Sequence, residues 1–154
     1  MAKKILYIDM DGVLADEKSA FKEACPKMVE KYKDNMKDLP GLAGAMLPMK
    51  DAIDSVNELT EIFDVYILST ARWTNNSVWI DKVHWIKRYF GEDKDSPLFK
   101  RLILTNNKGL VRGDFLVDDN SKNGVKEFEG EWVHFGSDEF PNWKAVVKYL
   151  KDKA

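Results

Sequence analysis

The sequence predicts an α/β fold: a Rossmann-like parallel sheet flanked by helices, with a small helical cap inserted after the first strand. Three observations predict it. Five short apolar runs, Ile5–Ile8, Val65–Leu68, Leu102–Leu104, Phe115–Val117 and Trp132–Phe135, have the length of strands buried in a sheet. Stretches with helical spacing or turn chemistry separate them, and strands alternating with helices imply crossover connections and parallel pairing. Several of the runs end in Asp, Ser or Thr, the residue types found where ligands bind at the carboxyl edge of such a sheet.

The first strand carries the most information. Ile5-Leu6-Tyr7-Ile8 runs straight into Asp9-Met10-Asp11-Gly12-Val13, so Asp9 closes the strand and Asp11 lies in the loop after it. Gly12 permits a backbone conformation that brings main-chain N–H groups close to a ligand. Two carboxylates one residue apart suit a hard cation such as Mg²⁺. A calcium loop is the competing reading, but its twelfth position calls for Glu and here holds Ala20. A plain strand-to-turn exit is the other, and the rest of the chain decides against it.

Glu17 to Lys37 is charged and helix-prone, with Phe21, Ala24, Met28, Val29 and Tyr32 at near-helical spacing. Pro26 breaks or kinks this stretch, and Leu39-Pro40-Gly41-Leu42-Ala43-Gly44 is a turn cluster. Residues 16–46 are therefore expected to form the cap, and residues 1–15 with 47–154 the catalytic core. Phe21, Met28 and Tyr32 are expected either to pack the cap onto the core or to face a substrate. Pro48 is expected to start a helix with Ala52, Ile53, Val56 and Leu59 on one face. Asp64–Leu68 is the second strand and ends in Ser69-Thr70. A helix from about Asn76 to Tyr89 follows, carrying Ile80, Val83, His84 and Ile86. Leu102–Leu104 is the third strand, and Phe115–Val117, ending in Asp118-Asp119, the fourth. Trp132–Phe135 is the fifth, and a last helix spans about Asn142 to Leu150.

Composition narrows the function classes. A chain of 154 residues can bury a real core as one domain. Its net charge of -2, with both signs interspersed, points to neither a nucleic-acid polymer nor an anionic membrane. No apolar run has the length of a membrane span, and the four apolar residues after Lys4 are too few for a signal-peptide core. One cysteine, Cys25, forms no internal disulfide, which fits a cytoplasmic location. Cys25 is expected to be small apolar filler. His84 and His134 are expected to be packed or solvent-facing, and Trp73 and Trp79 to pack rather than line a pocket.

Four strand ends bring polar groups to one edge: Asp9 and Asp11; Ser69 and Thr70; Lys108, in Thr105-Asn106-Asn107-Lys108; and Asp118 with Asp119. The chemistry that uses carboxylates, hydroxyls and one ammonium together is phosphoryl transfer. A cation and Lys neutralise phosphate charge while hydroxyls and N–H groups hold its oxygens. One carboxylate attacks phosphorus, and a second protonates the leaving oxygen and then activates water. The first must stay ionised and the second must carry a proton, so their environments are expected to push the two pKa values apart.

These residues resemble the four ordered motifs of the haloacid dehalogenase superfamily of phosphatases. Asp9–Asp16, Pro40-Gly41-Leu42, Trp85–Gly91, Ile103–Lys108, Leu116–Asp119 and Trp132–Phe135 followed by Asn142-Trp143 resemble the 5′(3′)-deoxyribonucleotidases more narrowly. The resemblance implies the haloacid dehalogenase fold, with Asp9 as nucleophile, Asp11 as acid/base, and Ser69, Thr70 and Lys108 binding phosphate. It implies Mg²⁺ held by Asp9, the Asp11 carbonyl and Asp118, with Asp119 supporting them. It also implies a small phosphomonoester partner, a nucleoside monophosphate, and a monomer or homodimer. The chain departs from the animal enzymes at Leu42 and Ala43, where they carry aromatic residues, and at Asn120, where a basic residue often stands. Three other readings compete: a superfamily phosphatase for another small phosphomonoester, a receiver-type phosphoacceptor domain, and a catalytically dead binding module. The receiver places its acidic pair at the first strand and its phosphoacceptor on a later one, whereas here the strand-end order is Asp-x-Asp, Ser, Lys, Asp-Asp, and an insert follows the first strand.

Overall fold

The computed structural model describes residues 2–154. Five parallel strands form the central sheet: β1 (Ile5–Ile8), β4 (Asp64–Ser69), β5 (Leu102–Leu104), β6 (Phe115–Asp118) and β7 (Glu131–His134). Their order across the sheet is β5-β4-β1-β6-β7, which puts β1 in the centre. Registers such as Ile8↔Ile67 and Ile8↔Val117 align the carboxyl ends of the three central strands. Asp9, Ser69 and Asp118 therefore emerge side by side.

The sheet is covered asymmetrically. Alternate residues Leu6 and Ile8, Val65 and Ile67, Phe115 and Val117 point into the larger apolar cluster. The same cluster receives the buried faces of α4 (Ala52–Ile62), α5 (Ser77–Phe90) and α6 (Trp143–Lys151). On the opposite face Tyr7, Leu68 and Leu116 meet Val125 and Phe128, which come from a 3-10 turn and its end rather than from a long helix. This second layer, from the β6–β7 connection, lies beside the turn that carries Lys108, whose amide donates to the Asn123 carbonyl.

The stretch after β1 departs from the sheet through β2 (Ala15–Asp16) and returns through β3 (Leu47–Pro48), and these two pair antiparallel. Between them lie α1 (Glu17–Glu23), α2 (Pro26–Lys31) and α3 (Leu42–Ala45). Asp16 caps α1 by accepting from the Lys18 amide, and Pro26 opens α2 at its first turn, where its missing N–H costs nothing. We propose residues 16–46 as the cap. It is fastened to α5 through Trp85 Nε1 to the Met46 carbonyl (2.8 Å) and Arg88 to the Gly44 carbonyl (2.9 Å). Asn75 adds bonds to the carbonyls of Lys37 and Leu39, and Arg72 pairs with Asp38 at 2.9 Å.

Several local expectations need correction. Pro48 does not start a helix: it ends β3, the Met49 amide donates to the Leu14 carbonyl, and α4 begins four residues after Pro48, at Ala52. The fifth strand lies one residue earlier than expected, and the turn cluster contains the one-turn helix α3. Cys25 is exposed at the α1–α2 junction instead of filling the core. The phase of α5 also differs. Its buried face is Val78, Lys82, Trp85, Ile86 and Phe90, while Ile80 and Val83 are exposed. A lysine on the apolar stripe hid the true face.

Candidate active site

The loop after β1 is built by its own backbone. The Met10 carbonyl accepts from the amides of Val13, Leu14 and Ala15 at 3.1, 2.8 and 2.9 Å, and the Gly12 amide donates to Ala15. Gly12 has φ +79°, and a Cβ there would lie 2.3 Å from Asp119 Oδ2, so only glycine lets the two loops close on each other. Trp143, at the start of α6, is buried and donates from Nε1 to the Val13 carbonyl at 2.8 Å. The loop after β1 is thus pinned from the helix side.

Lys108 reaches the centre of this edge from an outer strand. Its 3-10 turn follows β5 and is held by its amide donating to the Asn123 carbonyl at 2.7 Å. The side chain, 3% exposed, donates to Asp9 Oδ1 at 2.9 Å and to Asp118 Oδ2. Asp118 Oδ1 accepts from the Asn120 amide. Trp132 Nε1 and His134 Nε2 bond the main-chain carbonyls of Asp118 and Asp119, and the two rings stack. The last strand therefore holds the acidic pair in place. His134 is exposed and its ring is engaged there, while His84 is exposed on α5.

Six of the seven residues singled out from the sequence, Asp9, Asp11, Ser69, Thr70, Lys108 and Asp119, line one cleft. Asp118 sits behind them, 1% exposed. Oxygens of Asp9, Asp118 and Asp119 all lie within 4.8 Å of one another. An all-carboxylate set fits a hard divalent cation such as Mg²⁺.

Burial governs the charges. It pushes the Asp9 carboxyl up to about 6; Lys108 opposes the rise, and Asp118 and Asp11 add to it. This is the opposite direction to that expected of a carboxylate kept ionised, because desolvation outweighs the ammonium groups of Lys108 and Lys82. Burial likewise raises Asp118 and Asp119, Asp9 contributing at the latter. Burial pulls Lys108 down, but Asp9 and Asp118 outweigh it and leave it raised and charged.

Sequence reasoning missed four residues here. Glu17, Lys37 and Arg72 line the mouth, and Lys37 pairs with Glu17 at 3.2 Å. The fourth, Lys82, lies beneath the cleft, and its place on the apolar stripe of α5 was the available signal. The apolar wall of the cleft is Leu42, Ala43, Met46 and Val78. Phe21, Met28 and Tyr32 pack against the main core instead of lining the cleft, so they serve cap packing. Trp73 is 83% exposed, and Trp79 is half-buried with Nε1 on the Arg72 carbonyl; neither lines the cleft.

A five-stranded parallel sheet with polar groups converging at its carboxyl edge is the fold of the haloacid dehalogenase-like hydrolases. The fold matches the HAD-hydrolase YfnB of Bacillus subtilis, solved bound to magnesium, with TM-score 0.64 over 97% of this chain and 99% of that one at 10% identity. It also matches a HAD-superfamily hydrolase of subfamily IA from Geobacter sulfurreducens, with TM-score 0.59 at 10% identity over 96% of each chain. Residues 26–144 match the family model for 5′ nucleotidase, deoxy (pyrimidine), cytosolic type C protein. A protein of Vibrio phage KVP40, by assignment a 5′(3′)-deoxyribonucleotidase, is 46% identical over 96% of this chain and 85% of its own. The human 5′(3′)-deoxyribonucleotidase, cytosolic type, is 27% identical over 96% of this chain and 81% of its own. The chain belongs to the 5′(3′)-deoxyribonucleotidase family, and with it to the phosphoric monoester hydrolases.

Proposed function

We propose that this protein is a Mg²⁺-dependent phosphatase that dephosphorylates (deoxy)nucleoside monophosphates through an aspartyl-phosphate on Asp9. The observation that carries the reading is the pair of carboxylates in unlike settings: Asp9 buried against Lys108, and Asp11 at the cleft with Oδ1 unpartnered. Asp9 attacks phosphorus, and Asp11 gives a proton to the departing oxygen and then takes one from the attacking water. Ser69, Thr70 and Lys108 hold the phosphate oxygens. Asp9, the Asp11 carbonyl and Asp118 hold Mg²⁺, with Asp119 supporting them, and the ion when bound neutralises phosphate charge. Nucleotide as substrate rests on the names of the relatives. Among the described residues no helix is long and apolar enough to cross a membrane, and we propose the cytoplasm as the location.

A second reading, a phosphatase for another small phosphomonoester, is favoured by one observation: the cleft wall of Leu42, Ala43, Met46 and Val78 offers no aromatic ring to stack a base. Purified protein assayed on a panel of nucleoside monophosphates and sugar phosphates separates the two. Deoxynucleotides are expected to give the highest kcat/KM, and EDTA is expected to remove the activity, with Mg²⁺ restoring it. A sugar phosphate preferred over every nucleotide selects the second reading.

The affinity for Mg²⁺ is expected to depend on pH. Asp9, with its pKa at about 6, is ionised at pH 7 in the metal-free protein and takes up a proton as pH falls below that value. A proton and a cation compete for it, so Kd for Mg²⁺ should rise about tenfold between pH 7 and pH 5. The raised Asp118 and Asp119 act in the same direction. Calorimetric titrations at both values check this, and an equal Kd contradicts it.

A further inference from the structure

Lys82 is the most deeply buried cation beneath the site, 1% exposed on α5. A buried ammonium is retained only where its charge and its protons are met. Here they are met completely. Nζ donates to Asp11 Oδ2 at 3.1 Å, to Ser69 Oγ at 2.6 Å and to the Thr70 carbonyl at 2.7 Å. An ammonium has three protons and no acceptor. All three are committed to the protein, and Lys82 is absent from the cleft lining, so it is not a group that touches substrate.

Its two side-chain partners are each left with one defined capacity. On Asp11, Oδ2 is occupied, while Oδ1 is buried and without a partner. On Ser69, Oγ accepts from Lys82, so the hydroxyl proton is free to donate outward to a phosphate oxygen. We infer that Lys82 is a positioning residue that assigns Asp11 Oδ1 as the proton-transferring oxygen and Ser69 as a phosphate donor. This rests on the phosphatase reading above. In the step concerned, the Asp9–phosphorus bond forms as the bond from phosphorus to the leaving oxygen breaks. The proton on Asp11 Oδ1 passes to that oxygen.

The leaving group makes this testable. A nucleoside leaves as an alcohol and needs the proton, whereas p-nitrophenolate leaves without it. The readout is kcat/KM for thymidine 5′-monophosphate divided by that for p-nitrophenyl phosphate. Lys82→Met is expected to lower this ratio about 100-fold, the scale of a lost general acid. Ser69→Ala should lower both terms alike and leave the ratio unchanged. Added to Asp11→Asn, Lys82→Met should leave the ratio where Asp11→Asn alone put it. Lys82→Gln, which keeps a donor, supplies the measurement if the methionine variant does not fold. An unchanged ratio in a folded Lys82 variant overturns the inference, as does a further full drop in the Asp11→Asn background. A wild-type protein that hydrolyses neither substrate overturns the functional reading and this inference with it, and shows it before any variant is made.

Discussion

Asp9→Asn is expected to lower kcat by about 10³-fold or more on every phosphomonoester, the scale of losing a nucleophile. The amide is a poor nucleophile and a weaker ligand for a hard cation. The fold should survive, because Asp9 is held by its amide on the Val117 carbonyl and by the registered strands on either side. Substitution also removes a carboxyl that burial pushes up to about 6 beside Asp118. The variant should therefore give a circular dichroism spectrum and a melting temperature close to wild type. Retention of more than a few percent of wild-type kcat on p-nitrophenyl phosphate contradicts the assignment of Asp9.

Lys108→Met should fail in both activity and stability. Lys108 is the shared partner of two buried carboxylates, Asp9 and Asp118. Removing one member of a buried ionic set leaves uncompensated charge and costs about 3 to 5 kcal/mol. The cost should depend on pH with a definite sign. Burial raises both carboxyls, so protonation favours the folded form, and the penalty grows as pH rises through the raised values. Urea titrations of the metal-free variant should show a smaller loss at pH 5 than at pH 8. Activity should fall about 100-fold or more, because a preorganised cation at the phosphate is lost. A variant as stable as wild type at pH 8 would show that Lys108 does not carry the charge balance of the site.

Much of the architecture is legible in the apolar runs. Leu102–Leu104 coincides with its strand, and Pro26 divides the cap helices where its missing N–H requires. The convergence of strand ends follows from parallel pairing alone. What stays hidden is whatever depends on a side chain crossing the sheet edge. Lys108 follows an outer strand yet reaches Asp118, three strands away in the sheet order, and no local pattern encodes that reach. Lys82 misleads in the opposite way. A lysine among Val78, Trp85 and Ile86 reads as an interruption, so Ile80 and Val83 pass for the buried face. Phe21, Met28 and Tyr32 are visible as an apolar stripe, but periodicity does not say whether a stripe meets core or substrate. Contact with the main cluster answers that for these three.

The central claim is that phosphorus is transferred to Asp9. Mixing protein with a slight excess of substrate, quenching in acid during the first turnover and reducing with borohydride converts an acyl phosphate to the corresponding alcohol. Peptide mass spectrometry should then find homoserine at position 9, dependent on substrate and on Mg²⁺, and at no other aspartate. Homoserine at Asp11 or Asp118, or substrate turnover with every aspartate intact in the quenched protein, would contradict the account.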